Sequence, residues 1–195
     1  MSVPLHEEQR QQQARDALDY IRRTMESASS FTAVSGWGLI AVGLVGLAAA
    51  WVAWSTGEPA ELMVWLPTVV IAIAVAMVAN AWKARRLEVP LWSGSFRKLA
   101  WVMMPVIAAG GMLTWALAEN GQMALVPGTW LALYGAGITA GGTLSVRAIR
   151  TMGLVLLVLG GVAFARPAWN AALLATGFGL VHLVFGARLV WKHGG

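Results

Sequence analysis

The chain has 195 residues, of which 58% are hydrophobic and only 12% charged, with a net charge of +5 and no cysteine. A soluble domain usually carries about a quarter charged residues, so this depletion points to lipid as the solvent. The absence of cysteine excludes disulfides, thiolate metal sites, iron–sulfur ligation and thiol nucleophiles together.

Residues 1–32 form a polar opening segment. Both charge signs are mixed through it, so it lacks the short apolar core of a cleavable signal peptide and the acid-poor character of a transit peptide. Ala14, Leu18, Ile21, Met25 and Ala28 recur at spacings of three and four, the signature of one apolar helix face. Arg15, Asp16, Asp19, Arg22, Arg23 and Glu26 take the other side, with Arg15/Asp19, Asp19/Arg23 and Arg22/Glu26 placed for i,i+4 pairs. Charge this balanced does not make a polybasic lipid-binding stretch. The apolar face suits packing along the cytoplasmic base of a bundle. Alternatively, Leu18, Ile21 and Met25 dock a cytoplasmic partner or a second protomer. Ser27–Ser30, Thr32 and Ser35 break the pattern and offer N-caps to the next helix.

Residues 33–192 hold six charge-free stretches, at about 34–54, 63–82, 99–118, 125–146, 151–165 and 168–187. Crossing a bilayer core takes about 20 helical residues. The fifth stretch has only 15 residues between Arg150 and Arg166; it spans if both arginines snorkel and the bilayer thins locally, and is re-entrant otherwise. The expected fold is an all-α membrane protein: a six-transmembrane-helix bundle with an N-terminal cytoplasmic amphipathic helix.

Every basic residue but Arg166 falls on one side of this topology, in four clusters: Arg10–Arg23, Lys83–Lys98, Arg147–Arg150 and Arg188–Lys192. The other side carries Arg166 with Glu58, Glu61 and Glu119. The positive-inside rule then places both termini in the cytoplasm, which requires an even number of spans. Basic residues spread over four positions form no stripe for nucleic acid. Trp37, Trp82, Trp92, Trp101 and Trp191 mark the cytoplasmic boundary, and Trp51, Trp54, Trp65, Trp115, Trp130 and Trp169 the opposite one. This reads as interfacial anchoring, not as an aromatic cage.

Pro67, Pro127 and Pro167 fall in or just before the first turn of the second, fourth and sixth spans, where a missing N–H costs little. Pro105 lies two turns into the third span and predicts a kink. Small residues allow the close backbone approach that drives helix packing in lipid. Candidates are Gly36, Gly43 and Gly46 in the first span, Gly137, Gly141 and Ser145 in the fourth, Gly153, Gly160 and Gly161 in the fifth, and Gly179 and Gly186 in the sixth.

No Asp, Glu, Lys or Arg lies near mid-membrane, where proton relays and ion-coupled transport usually need one. The polar groups at depth are Asn80, Thr114, Tyr134, Thr139, Thr143, Thr176 and His182. His182 stands out on the small-residue face of the last span. Three roles are open to it: a hydrogen bond to a neighbouring helix through Thr139, Thr143 or Tyr134, a substrate or proton contact, or a haem ligand shared between two chains. His6 and His193 are both cytoplasmic, so one chain alone cannot supply a bis-histidine site. No hydrolase, zinc-protease or nucleotide-binding motif occurs, and neither enzyme activity nor a cofactor is expected.

The stretch Ile21-Arg-Arg-Thr-Met-Glu-Ser-Ala-Ser-Ser-Phe-Thr-Ala-Val-Ser-Gly-Trp-Gly resembles the opening of an uncharacterised family of bacterial six-span integral membrane proteins. Leu133-Tyr-Gly-Ala-Gly-Ile-Thr-Ala-Gly-Gly and Gly177-Phe-Gly-Leu-Val-His-Leu-Val-Phe-Gly are similar to its later blocks, so the likeness covers the chain from about residue 15. Ser35 stands where that family's pattern leads one to expect proline. The resemblance implies a regulatory role, because such members resemble those encoded beside small winged-helix regulators; it supplies no catalytic residue. The expected function is that of a non-enzymatic accessory or regulatory partner contacting lipid and a protein partner or second copy at the cytoplasmic face. A small oligomeric permease or exporter lined by Tyr134, Thr139 and His182 is the alternative, and a dimeric b-type haem protein the third.

Overall fold

Capping and turn chemistry set where the helices begin and end. Ser35 Oγ accepts the Gly38 N–H at 3.1 Å, satisfying one of the orphan donors of the helix that follows. The Ser35 N–H in turn donates to Asn80 Oδ1 at 3.2 Å, tying the start of that helix to the next one. At the Asn120–Gly121 turn, Gly121 adopts φ +67°. Its N–H donates to the Ala118 carbonyl and the Gln122 N–H to that of Leu117, the pair of bonds that closes a Schellman end and that a left-handed glycine permits.

The computed structural model describes residues 4–29, 35–56, 61–86, 88, 92, 94–142 and 146–193. Among them are helices and turns, with no strand. The helices are α1 (Pro4–Ser29), α2 (Gly36–Thr56), α3 (Glu61–Arg86), α4 (Gly94–Glu119), α5 (Val126–Gly142) and α6 (Arg147–Ala165). The chain closes with α7 (Asn170–Leu174), a π-helical segment (Ala175–Val181) and α8 (His182–His193). Pro67 and Pro105 both lie inside helices, α3 and α4.

Among the described residues six helices are long and apolar enough to cross a membrane: Gly36–Thr56, Met63–Arg86, Arg97–Glu119, Met123–Gly142, Arg147–Ala165 and a last span, Pro167–Lys192. The fifth is one continuous helix of 19 residues, about 28 Å long at ~1.5 Å per residue. It exceeds the charge-free stretch because its first turn runs through Arg147 and Arg150.

Two glycine seams build the centre. Along α2 and the last span, a Cβ on Gly36 would meet Val190 and the Gly186 carbonyl, one on Gly43 would meet Leu183 and the Gly179 carbonyl, and one on Gly46 the Phe178 backbone. Along α5 and α6, Gly135 faces the Gly153 carbonyl and Gly142 the Arg150 backbone, with Gly160 against Ala132. A Cβ on Gly179 would meet Leu47 and one on Gly186 would meet Ile40, both of α2. Gly137 and Gly141 do pack, but onto the side chains of Met103, Val106 and Leu99 in α4; the backbone-to-backbone seam uses their neighbours Gly135 and Gly142. Ser145 lies outside the described residues.

The buried core, Leu131, Met152, Leu156, Ala163, Leu173, Leu174 and Val181, sits where α5, α6 and the last span meet. α3 packs against α2, and α4 against α5, so these two flank the centre. No described residue of α3 is buried, and Val70 and Val78 are largely exposed. α1 departs from the expectation that its apolar face covers the bundle's base. Leu18 is 65% and Ile21 51% exposed, and every residue from 9 to 21 is exposed. The Met25 side chain lies outside the described residues.

Candidate functional site

Because α3 is held by α2 and α4 by α5, the space between these pairs is not filled by side chains. It forms a partly open cavity of about 670 Å³, within the roughly 300–1,000 Å³ typical of small-molecule sites. The cavity runs from the ends of α5 and the last span, at Met123, Pro127, Pro167 and Asn170, down to Tyr134, Phe178 and His182. Ala72 and Ile73 of α3 wall one side, and Ile107 of α4 contributes to the lining. Among the described residues, no Asp, Glu, Lys or Arg lines it.

The floor is an aromatic cluster built around His182, which is fully buried. His182 Nδ1 lies 2.9 Å from the Gly177 carbonyl oxygen. A carbonyl only accepts, so Nδ1 carries the hydrogen; in the neutral ring Nε2 is then an acceptor. Tyr134 Oη, 3.2 Å from Nε2, donates to it. The imidazole stacks against the Tyr134 ring at 5.7 Å between centroids and against Phe178 at 6.1 Å. Trp65 extends the cluster, 6.2 Å from Phe178. The π-helical turn immediately before His182 holds both Gly177 and Phe178, a local geometry that recurs at functional sites in helices.

The mouth is tied by side-chain bonds between elements. Asn170 Nδ2 donates to the Ala124 carbonyl at 2.8 Å, joining the last span to the entry of α5. Asn170 Oδ1 is buried with no hydrogen-bond partner. Trp130 Nε1 donates to Thr114 Oγ1 at 2.9 Å, fastening α4 to α5, while the Thr114 hydroxyl donates to the Gly110 carbonyl. Thr68 lines the wall with its hydroxyl donated to the Val64 carbonyl at 2.6 Å.

Of the polar residues singled out from the sequence, Tyr134 and His182 come together. Thr139 does not join them: its hydroxyl donates to the Gly135 carbonyl, and it packs against Gly153 in the α5–α6 seam. Thr143 lies outside the described residues. As a haem ligand His182 would need Nε2 released from Tyr134, 3.2 Å away, and its side chain, 0% exposed, brought to the surface. Among the described residues no group of three or more metal-ligating side chains occurs.

The residues missed by sequence reasoning are Asn170, Thr68, Phe178, Trp65 and Trp130. The two tryptophans read as interfacial anchors with the other nine. The structure separates them: Trp65 and Trp130 are half-buried in the cavity wall, whereas the rest are exposed. Asn170, the one amide beside the alanine run of the last span, was the signal available.

No family model, curated protein or solved structure matches the chain.

Proposed function

We propose that this is a multi-pass protein of the bacterial cytoplasmic membrane, with both termini in the cytoplasm, that acts by binding and not by catalysis. Its cavity takes a small apolar molecule from the outer half of the bilayer, and it serves as an accessory or regulatory partner of another protein. The cavity carries this reading: it has the size of a ligand site, apolar walls, a hydrogen-bonded floor and, among its described lining residues, no charged group. Insertion is supported by side chains such as Val70, Val78, Val158 and Val184, whose exposure suits lipid and not water. The basic clusters support the orientation. The exposed Leu18 and Ile21 of α1 support contact with a protein partner or second copy on the cytoplasmic side. Tight packing of α2 on the last span, at Gly36, Gly43 and Gly186, closes the inner half and favours binding in place over passage by a permease.

The test is titration of the detergent-purified protein with N-phenyl-1-naphthylamine, an apolar dye that brightens out of water. Saturable binding at one site per chain is expected, and Ala72→Trp, which fills the cavity from α3, abolishes it. Unsaturable partitioning, unchanged by Ala72→Trp in a protein that still melts cooperatively, contradicts the reading.

A further inference from the structure

The polar groups along the cavity are uneven in kind. The hydroxyls of Tyr134 and Thr68, the indole N–H of Trp130 and the Nδ1–H of His182 all direct their hydrogens to protein acceptors. Asn170 Nδ2 is likewise engaged with Ala124, while Asn170 Oδ1 is left buried and unpaired. Buried polar atoms are nearly always hydrogen-bonded, so an orphan acceptor at a cavity mouth calls for a donor. Tyr134 Oη, having donated its hydrogen to His182, presents a second acceptor at the floor.

Position adds a second constraint. From Asn170 to His182 the last span rises at most roughly 18 Å, the value for ~1.5 Å per residue throughout, because the π-helical turn rises less. A bilayer core is about 30 Å thick, so the cavity is about one leaflet deep. Between mouth and floor the walls are Ala171, Leu174 and Phe178 on the last span, facing Ala72 and Ile73 of α3. Such walls fit an aliphatic chain. With no charged side chain among the described lining residues, an ionic head finds no counter-charge there, and a neutral one is selected.

Building on the cavity as a binding site, we propose that its ligand is a neutral single-chain lipid headed by a hydroxyl. That hydroxyl donates to Asn170 Oδ1, and the chain descends past Leu174 toward Phe178 and His182.

Competition against bound N-phenyl-1-naphthylamine tests this with three molecules sharing one chain: oleyl alcohol, methyl oleate and oleate. Oleyl alcohol carries a hydroxyl donor, methyl oleate only acceptors and oleate a charge. Oleyl alcohol should displace the dye at a concentration about tenfold lower than methyl oleate, the ratio a single neutral hydrogen bond supplies, and oleate should be the weakest. In Asn170→Leu the dye should still bind and the advantage of the alcohol over the ester should vanish. The wild-type series alone is decisive if that variant does not fold. Equal competition by alcohol and ester, or preference for oleate, overturns the assignment of the head group while leaving the cavity as a site. Failure of the dye itself to bind overturns the cavity reading on which this one rests.

Discussion

Tyr134 Oη and His182 Nε2, 3.2 Å apart, join α5 to the last span at the bottom of the cavity, and the 2.9 Å contact of Nδ1 with the Gly177 carbonyl fixes which of them donates. Removing the donor alone, in Tyr134→Phe, should cost about 0.6 kcal/mol and at most ~1.7, the range of interhelical hydrogen bonds within membranes. His182→Leu should cost more, about 1–3 kcal/mol, because it leaves the Tyr134 hydroxyl unpaired in an apolar site and removes the side-chain donor to the Gly177 carbonyl. His182→Gln, which keeps a donor and an acceptor, should fall between them. Thermal unfolding in detergent ranks the three; an order in which Tyr134→Phe is the most damaging would contradict the assigned bonds.

Glycines of the seam and of the lipid-type surface should respond oppositely to alanine. A Cβ at Gly46 would overlap the Phe178 backbone, which cannot rotate away, so Gly46→Ala should destabilise by about 1–3 kcal/mol. Gly111 and Gly161 have nothing within 4 Å of an added Cβ. Alanine at either should stabilise its helix by about 0.5–1 kcal/mol. Parallel melting curves of the three variants check the contrast.

The number and approximate ends of the apolar helices were legible because a helix able to cross a membrane has to be long, apolar and almost free of charge away from its ends. Ser35 as a cap and Gly179 and Gly186 as packing residues were legible for a similar reason, since spacing and residue type carry the physics. The cavity was not. It arises from α3 packing mainly on α2 and α4 mainly on α5, a property of pairwise packing that no local pattern records. Trp65 and Trp130 have the same composition and depth as the anchoring tryptophans, and only tertiary contact turns them inward. Gly135 and Gly142 were overlooked for Gly137 and Gly141 because in a glycine-rich helix several faces carry a four-residue small spacing, and the partner decides which is the seam.

α1 should contribute to partner contact and not to the stability of the bundle, given its exposed face from residue 9 to 21. Deleting residues 2–26 should leave the melting temperature in detergent within error of the full chain and abolish co-purification of any cytoplasmic partner. A bundle that fails to fold without α1 would show that the helix packs on it after all.

Orientation is open to a direct check, because the chain has no cysteine of its own. A thiol introduced as Gly121→Cys should react with a membrane-impermeant maleimide on intact cells, and one introduced as Ala84→Cys should react only after lysis. Labelling of Ala84→Cys from outside would invert the topology and move the cavity mouth to the cytoplasmic leaflet.

Photolabelling tests the central claim most directly, that a ligand site lies between α3 and the last span. The protein in lipid nanodiscs is irradiated with an apolar trifluoromethyl-diazirine label, and the modified residues are mapped by mass spectrometry. The expected result is saturable labelling of Ala72, Leu174 and Phe178, removed by excess N-phenyl-1-naphthylamine. Val70, Val78 and Val184 on the outer surface should be labelled in simple proportion to the reagent and show no competition. Cavity residues that label no differently from that surface would contradict the account.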